Sequence, residues 1–415
     1  MLTALRQRNF ALLWFGGLIS MIGDWALLIG LPILVFQLTG SPLATALALV
    51  AGRLPSLLFG PLAGVFADRW DRRRTMVVIN LLLAVSLLPL LLVHTAADVW
   101  LVYLVLFVQS CLSRFFDPAE HALLPRLVSE QHLVAANALN GLNNNLARLC
   151  GPLLGGLVVS AAGLSGVVLL DAISFLLAAV LIALIAGQYR AERSQVTMED
   201  GRLASVGREL REGLRVVGQS RPLTVIFGLM TLNSLGEGVF GVLFVVFVSR
   251  VLGGGAQELG WLMSAQAVGG LLGALVVGAI GARVAPSALI GVGMLFFGLI
   301  DLAIFNYPAY ISGLALGLVL FILVGIPATA GMTGVTTVLQ AAVTDSYRGR
   351  VFAAFGTLTA TAALVGTLIG GLLADTFGVV TVLNIQGFGS LLAGVAALLL
   401  LGPAQAKART MLPES

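Results

Sequence analysis

Charge is what this sequence has least of. Its 23 Lys and Arg and 19 Asp and Glu make up only 10% of 415 residues, against about 25% in a soluble protein. So little polar surface cannot coat a chain of this length in water. Cysteine is scarce too: Cys111 and Cys150 stand in apolar runs, read as packing residues and carry no disulfide framework. The three histidines, His94, His121 and His132, have no ligand spacing, so no metal is expected. There is no Gly-x-x-x-x-Gly-Lys-Ser/Thr loop, which excludes direct drive by ATP. No Ser-His-Asp or Cys-His arrangement can be drawn, so neither a catalytic residue nor a cofactor is expected and the chain does not read as an enzyme. The net charge of +4 is not gathered into a basic patch with interleaved aromatics, so nucleic acid is not an expected partner.

What is present is apolar sequence, 59% of the chain, in long runs broken by short polar stretches. Runs of 18 or more such residues read as membrane-crossing helices, and an all-helical solution pairs every backbone group within its own segment. The 50 glycines and 14 prolines agree with this, because both are commoner in membrane helices than in soluble ones. The first run is too long for a signal peptide and reads as the first span. Spans are expected near 10–38, 44–66, 75–94, 98–116, 134–162 and 165–187, then 222–251, 257–281, 287–306, 309–333, 351–374 and 379–402. The expected architecture is an all-α membrane protein of twelve helices. It divides into a six-helix half at 1–187, a cytoplasmic linker at 188–221, a second half at 222–402 and a tail at 403–415.

Orientation follows from the basic residues. With both termini on the cytoplasmic side of the cell's inner (plasma) membrane, inner segments hold 20 of the 23; Arg250 alone lies outside, and Arg53 and Arg148 lie within spans. In the linker, Val206, Leu210, Leu214 and Val217 recur at helical spacing between charges. This describes an amphipathic helix along the inner membrane face, while 188–204 reads equally as a solvated linker.

Shifting the sequence by 213 to 215 residues brings landmarks into coincidence. Arg8, Gly23 and Asp24 fall on Arg221, Gly236 and Glu237; Gly141, Gly151, Gly155 and Gly156 fall on Gly356, Gly366, Gly370 and Gly371. Two parallel six-helix repeats are the plan of transporters in which a central site lies between halves that rock.

Two motifs sharpen this. After the second span comes Gly64-Val-Phe-Ala-Asp68-Arg69-Trp-Asp71-Arg72-Arg73-Arg74. It resembles the signature loop of the major facilitator superfamily, Gly-x-x-x-Asp-Arg-x-Gly-Arg-Arg, with Asp71 where that pattern has glycine. The resemblance implies a cytoplasmic gate built on Gly64, Asp68, Arg69, Arg72 and Arg73; a plain positive anchor is the alternative. The second-half loop has Ala282 where Asp68 would correspond, so the gate is expected to be asymmetric. In the fifth span, Gly151-Pro152-Leu-Leu-Gly155-Gly156 resembles the core of the antiporter motif, with Pro152 expected to kink the helix. Ile22-Gly23-Asp24-Trp25, Phe115-Phe116-Asp117-Pro118-Ala119, Ala136-Asn137-Ala138-Leu139 and Arg348-Gly349-Arg350-Val351-Phe352 extend the likeness along the chain. Together they resemble the drug:proton antiporter branch, which contains macrolide efflux proteins and the enterobactin exporter. That implies proton-driven efflux of an amphipathic small molecule such as a drug or siderophore. An uptake symporter or facilitator of the same fold is the alternative, and a membrane enzyme or scaffold a third reading.

Ionisable residues at membrane depth are functional candidates by default. At about 1.5 Å per residue, Asp24 and Arg53 fall at nearly the same depth and form a candidate pair. Arg148, Asp171, Glu237 and Asp301 fall in the same layer. Proton carriage is expected of Asp24, then Glu237, then Asp171, with Arg53 and Arg148 as partners; structural ion pairing is the other reading. Asp301, close to the loop at Asn306, reads first as an acid reaching toward the outer surface. Asn137, Asn140, Asn144 and Arg148 share a face of the fifth span, and Asn233 and Glu237 a face of the seventh. These faces read as cavity wall or as interhelical hydrogen bonding. The expected partners are a small-molecule substrate, protons and the lipid bilayer, with the monomer as functional unit.

Overall fold

A backbone surrounded by hydrocarbon has no water to bond to, so its polar groups must pair within their own segment. The chain meets this with helices. Its structure, a computed structural model, describes residues 2–67, 71–187, 189 and 202–410, and among them there is no β-strand. The first six long helices are α1 (Arg8–Thr39), α2 (Pro42–Ala67), α3 (Arg72–Leu87), α4 (Val99–Leu127), α5 (133–162) and α6 (164–183). After them come α7 (Arg202–Gln219), α8 (Arg221–Arg250), α9 (Ala256–Ile280), α10 (Pro286–Asn306), α11 (Ala315–Ala342), α12 (Asp345–Phe377) and α13 (Val379–Thr410). Ten stretches among the described residues are long and apolar enough to cross a membrane. One of them, Glu130–Ala183, is two spans joined end to end, and the apolar α2 completes twelve. Large apolar side chains face outward, among them Leu92, Leu275, Leu392 and Leu399, as lipid contact requires.

The repeat is visible in backbone geometry. Between α5 and α6 the chain turns on one residue, Gly163, with φ 65° and ψ −165°, a conformation that glycine alone adopts without strain. Gly378, 215 positions later, has φ 80° and turns the chain from α12 into α13. Gly40 caps α1 with φ 64°, and Gly253, 213 positions later, follows α8 with φ 65°.

The chain forms two compact units, Met1–Glu199 with Gly253–Ser264, and Asp200–Leu252 with Ala265–Ser415. In the first, α1 runs along α5 and α6 in close contact. A Cβ on Gly155 would stand 2.5 Å from the Ala26 carbonyl oxygen, and one on Gly151 would overlap Trp25. In the second unit the equivalent residues do the same: a Cβ on Gly366 would overlap the Leu235 carbonyl, and one on Gly370 would lie 3.0 Å from Val239 Cα. Gly151 and Gly155, with their counterparts Gly366 and Gly370, are thus points where the first and fifth helices of each half come into close contact.

Several boundaries differ from those expected. The fourth span does not end at 116; α4 continues through Pro118 and Pro125 to Leu127. A proline inside a membrane helix is tolerated when neighbouring groups satisfy the freed carbonyl. The tenth span is α11 at Ala315–Ala342 rather than 309–333, because Tyr307–Ala309 forms a short 3-10 turn after α10. The amphipathic α7 turns its apolar face to protein: Leu210 and Val217 pack with Ile226 and Val351. Gly213 lies against the Arg350 carbonyl, Glu212 pairs with Arg350 at 3.0 Å, and Leu214 stays exposed. Most of 188–204 lies outside the described residues.

Replacing Gly155 by Ala forces α1 and α5 apart. It should lower the stability of the folded protein by about 1–3 kcal/mol. Gly141→Ala, where an added Cβ meets nothing within 4 Å, should leave stability unchanged. Thermal unfolding in one detergent checks both, and equal melting of the two variants would contradict this packing.

Candidate functional site

Gly23 is the lowest point on the face that α1 turns to α6. A Cβ there would overlap both Asp171 Oδ1 and Ser174 Oγ. The missing side chain makes a seat into which the Asp171 carboxyl fits, and Asp171 is fully buried. Ser174 Oγ donates to Asp171 Oδ1 at 3.1 Å, while Asp171 Oδ2 is buried with no partner among the described residues. Asp24, one residue on from the seat, is exposed. It lies within electrostatic reach of Asp171 on one side and of Asp117 on the other. Asp117 comes from α4, where Arg114 stands 3.7 Å away at i−3. A turn further on, Glu120 lies within reach of Asp117 and His121 and accepts a hydrogen bond from Asn140 Nδ2 at 3.3 Å. The first unit therefore gathers Asp24, Asp117, Asp171 and Glu120 around the inner faces of α1, α4, α5 and α6.

The expected pair of Asp24 with Arg53 does not form: among the described residues no ion pair joins them, and Arg53 is exposed on α2. The neighbours of Asp24 are acids instead. Asp117 and Arg114 were expected at or beyond the inner end of a span that stopped at 116. In the continuous α4 they lie 10 and 13 residues before its end at Leu127, which is roughly 15 and 20 Å along the axis.

Among the polar residues of α5, Asn137, Asn144 and Arg148 are exposed and Asn140 is half-buried. Asn140 bonds across to Glu120 of α4, and the bonds to α1 involve a residue off that stripe. Asn143, buried, donates from Nδ2 to the Trp14 carbonyl at 3.0 Å, and Trp14 Nε1 donates to the Leu139 carbonyl at 2.9 Å. The helical dihedrals of the fused α5–α6 element break at Gly163 and not at Pro152. Gly151 and Gly155 face α1, while Gly156 and the Pro152 carbonyl meet the opening of α9: a Cβ on Gly156 would lie 2.6 Å from the Ala256 carbonyl, and one on Gly260 would overlap the Pro152 carbonyl. The motif thus works as two flat faces of one helix.

Around the signature loop, Asp68 and Arg69 lie outside the described residues, and Gly64 lies near the end of α2. Asp71 caps α3, accepting from the Arg74 backbone N–H at 2.9 Å, which accounts for an acid where the pattern has glycine. Arg72 donates to the Ala122 carbonyl of α4 at 2.7 Å, and Arg73 to the Ile185 carbonyl just past α6. Both arginines tie the start of α3 to the same end of α4 and α6.

In the second unit, Asn233 is half-buried and Glu237 exposed on α8. Gly236 faces α13, where a Cβ would stand 2.8 Å from Gln386 Cγ. Gln386 Nε2 donates to Asp301 Oδ2 at 3.1 Å, and Asn306 and Asn384 exchange bonds of 2.7 and 3.1 Å between α10 and α13. Asp301 is 3% exposed, so it does not reach to the surface.

Comparison with known proteins agrees with this architecture. The family profile described as "Transmembrane secretion effector" matches residues 1–414. An uncharacterized MFS-type transporter, YfiS of Bacillus subtilis, is 30% identical, the match covering 90% of this chain and 88% of that one. Macrolide efflux protein A of Streptococcus pyogenes is 27% identical over 89% of this chain and 90% of its own. Among solved structures, a bacterial homologue of the iron transporter ferroportin in an inward-facing state superposes with a TM-score of 0.73. It is 17% identical and covers 94% of this chain and 98% of that one, a likeness of fold.

Asn143→Ala removes the bond from α5 to the Trp14 carbonyl and should cost about 0.6 kcal/mol, and no more than about 1.7. Asn145→Ala, which loses a bond within its own helix to Gly141, is the control. A thermal-unfolding comparison in which Asn145→Ala is the worse of the two would contradict the assignment.

Proposed function

Because the chain belongs to the transmembrane secretion effector family of the major facilitator superfamily, we propose that it is a secondary active transporter that expels amphipathic small molecules in exchange for protons. The observation that carries this reading is the carboxylate cluster of the first unit. Asp24 stands exposed at membrane depth with Asp117 and Asp171 as its electrostatic neighbours. Acids so close cannot all be ionised cheaply in a weakly polarisable medium, so the cluster takes up and gives back protons as water reaches it from one side or the other. Arg114, paired with Asp117, fixes one charge of the set.

In this reading Asp24, whose side chain is exposed on α1, is the acid that meets arriving cargo. A cationic or hydrogen-bonding group of the cargo competes there with the proton, which is what exchange requires. Asn137, Asn144 and Arg148, exposed on α5, supply polar wall in the same unit. Glu237, at the position equivalent to Asp24, supplies the corresponding acid of the second unit. The macrolide efflux relative supports outward transport of a large amphipathic compound. The concentration of arginine around 69–74 and 190–221 supports cytoplasmic termini in the cell's inner (plasma) membrane, with the monomer as the working unit.

Asp24→Asn should lower proton-driven macrolide transport in proteoliposomes roughly tenfold or more, equivalent to at least about 1.4 kcal/mol. Glu237→Gln should have a smaller effect of the same sign. Both proteins should insert and melt as the parent does. Undiminished transport by Asp24→Asn under an imposed pH gradient would overturn the coupling assignment.

A further inference from the structure

The two units bury a carboxyl at the same place by different means. In the first, the acid is Asp171 of α6, seated on Gly23 of α1. The repeat carries Gly23 to Gly236 and Asp171, 215 positions on, to Gln386, and Gln386 is indeed the residue seated on Gly236 of α8. The acid has been replaced there by a neutral amide of similar reach. Yet a carboxyl is still present, supplied by Asp301 of α10 and bonded to that amide at 3.1 Å.

Among the described residues no cation pairs with Asp301. Asp301 is the only titratable residue of α10, and α11 has none. On α13 the charged residues are Lys407 and Arg409, more than twenty positions from Gln386. On α8, Glu237 adjoins the seat while Arg221 and Arg250 stand at the two ends. Tyr307, on the 3-10 turn after α10, has a buried hydroxyl with no partner among the described residues. An ionised Asp301 would be a buried anion held by one amide N–H, an arrangement costing several kcal/mol. Gln386 Oε1 is itself buried with no donor among the described residues. A proton on the carboxyl satisfies both groups: the acid becomes neutral, and its O–H supplies the donor that Oε1 lacks.

We infer that the Asp301–Gln386 pair is a proton-holding site of the second unit, the counterpart through the repeat of Asp171 on Gly23, and that it exchanges its proton with water during transport. The proton is taken from hydronium or water onto a carboxylate oxygen and is returned to water, with no other bond made or broken. Exchange during transport deepens the proton coupling proposed above and rests on it; the protonation itself does not.

The test is infrared difference spectroscopy of the purified protein in lipid nanodiscs, titrated from neutral to alkaline pH without cargo. In the parent, a protonated-carboxyl stretch should be present at neutral pH and vanish as pH rises. Asp301→Asn should lack roughly one carboxyl's share of it, and Gln386→Met should keep the band but shift its frequency, because the amide partner is gone. An unchanged band in both variants would overturn the assignment. Transport by Asp301→Asn supplies the second readout: its rate should lose part of the parent's pH dependence, whereas the parent's full pH profile in this variant would show a merely structural acid. Because the spectra need neither cargo nor a gradient, a failure of coupling at Asp24 leaves their result standing.

Discussion

How closely the first helix of each half can approach its neighbours is the constraint on which this structure turns. Lipid tails are as apolar as leucine, so there is no hydrophobic gain in bringing two membrane helices together; contact depends on shape and on the bonds that proximity allows. Side chains are cut back to glycine at Gly151 and Gly155 of α5, which lie against α1, and at Gly23 of α1, which seats the Asp171 carboxyl of α6. The same positions recur on α8 and α12 as Gly236, Gly366 and Gly370. Close approach then makes bonds possible that a wider spacing would forbid, such as those of Asn143 and Trp14.

The same closeness sets the chemistry. A carboxyl seated on a glycine, as Asp171 is on Gly23, is cut off from water, and among the described residues no cation touches Asp171 or Asp301. Burial without a counter-charge is a poor way to stabilise a fold, but it makes the charge state of the acid sensitive to whether water can reach it. An opening that wets the seat changes the proton's standing; a closure that dries it restores it. In the proposed exchange, exposed Asp24 on α1 is the acid for arriving cargo and buried Asp171 on α6 the one behind it. In the second unit the repeat puts Gln386 on the seat, and the buried carboxyl beside it is Asp301 of α10.

Much of this was legible in the sequence, and what was missed has a common cause. The helix count, the single-residue turn near 163 and the repeat are carried by hydrophobic length and by glycine spacing, both of which lipid imposes directly. Asp24 and Asp171 stand out in the sequence because an acid inside an apolar run is costly in hydrocarbon. The neighbours of Asp24 were not found. The expected fourth span ends at 116, so Asp117 and Glu120 fall beyond it, and depth alone suggests Arg53 as a partner. Depth is one coordinate; which faces meet depends on helix rotation, and α2 turns Arg53 elsewhere. Asn143 lies off the stripe of Asn137, Asn140 and Asn144, and periodicity identifies a polar face without saying whether it meets a helix or a cavity. Asp301 was judged by its distance from a loop, and the packing of α13 over α10 overruled that distance.

The central claim is that cargo and protons cross in exchange, through acids that hold a proton when dry. The most direct measurement starts with no pH gradient at all. Proteoliposomes enclosing a pH-sensitive dye are given a macrolide gradient alone, and the internal pH is followed as the compound moves. The account predicts proton movement opposite to the macrolide, abolished in Asp24→Asn. Macrolide crossing at the parent's rate with the internal pH unchanged would contradict it.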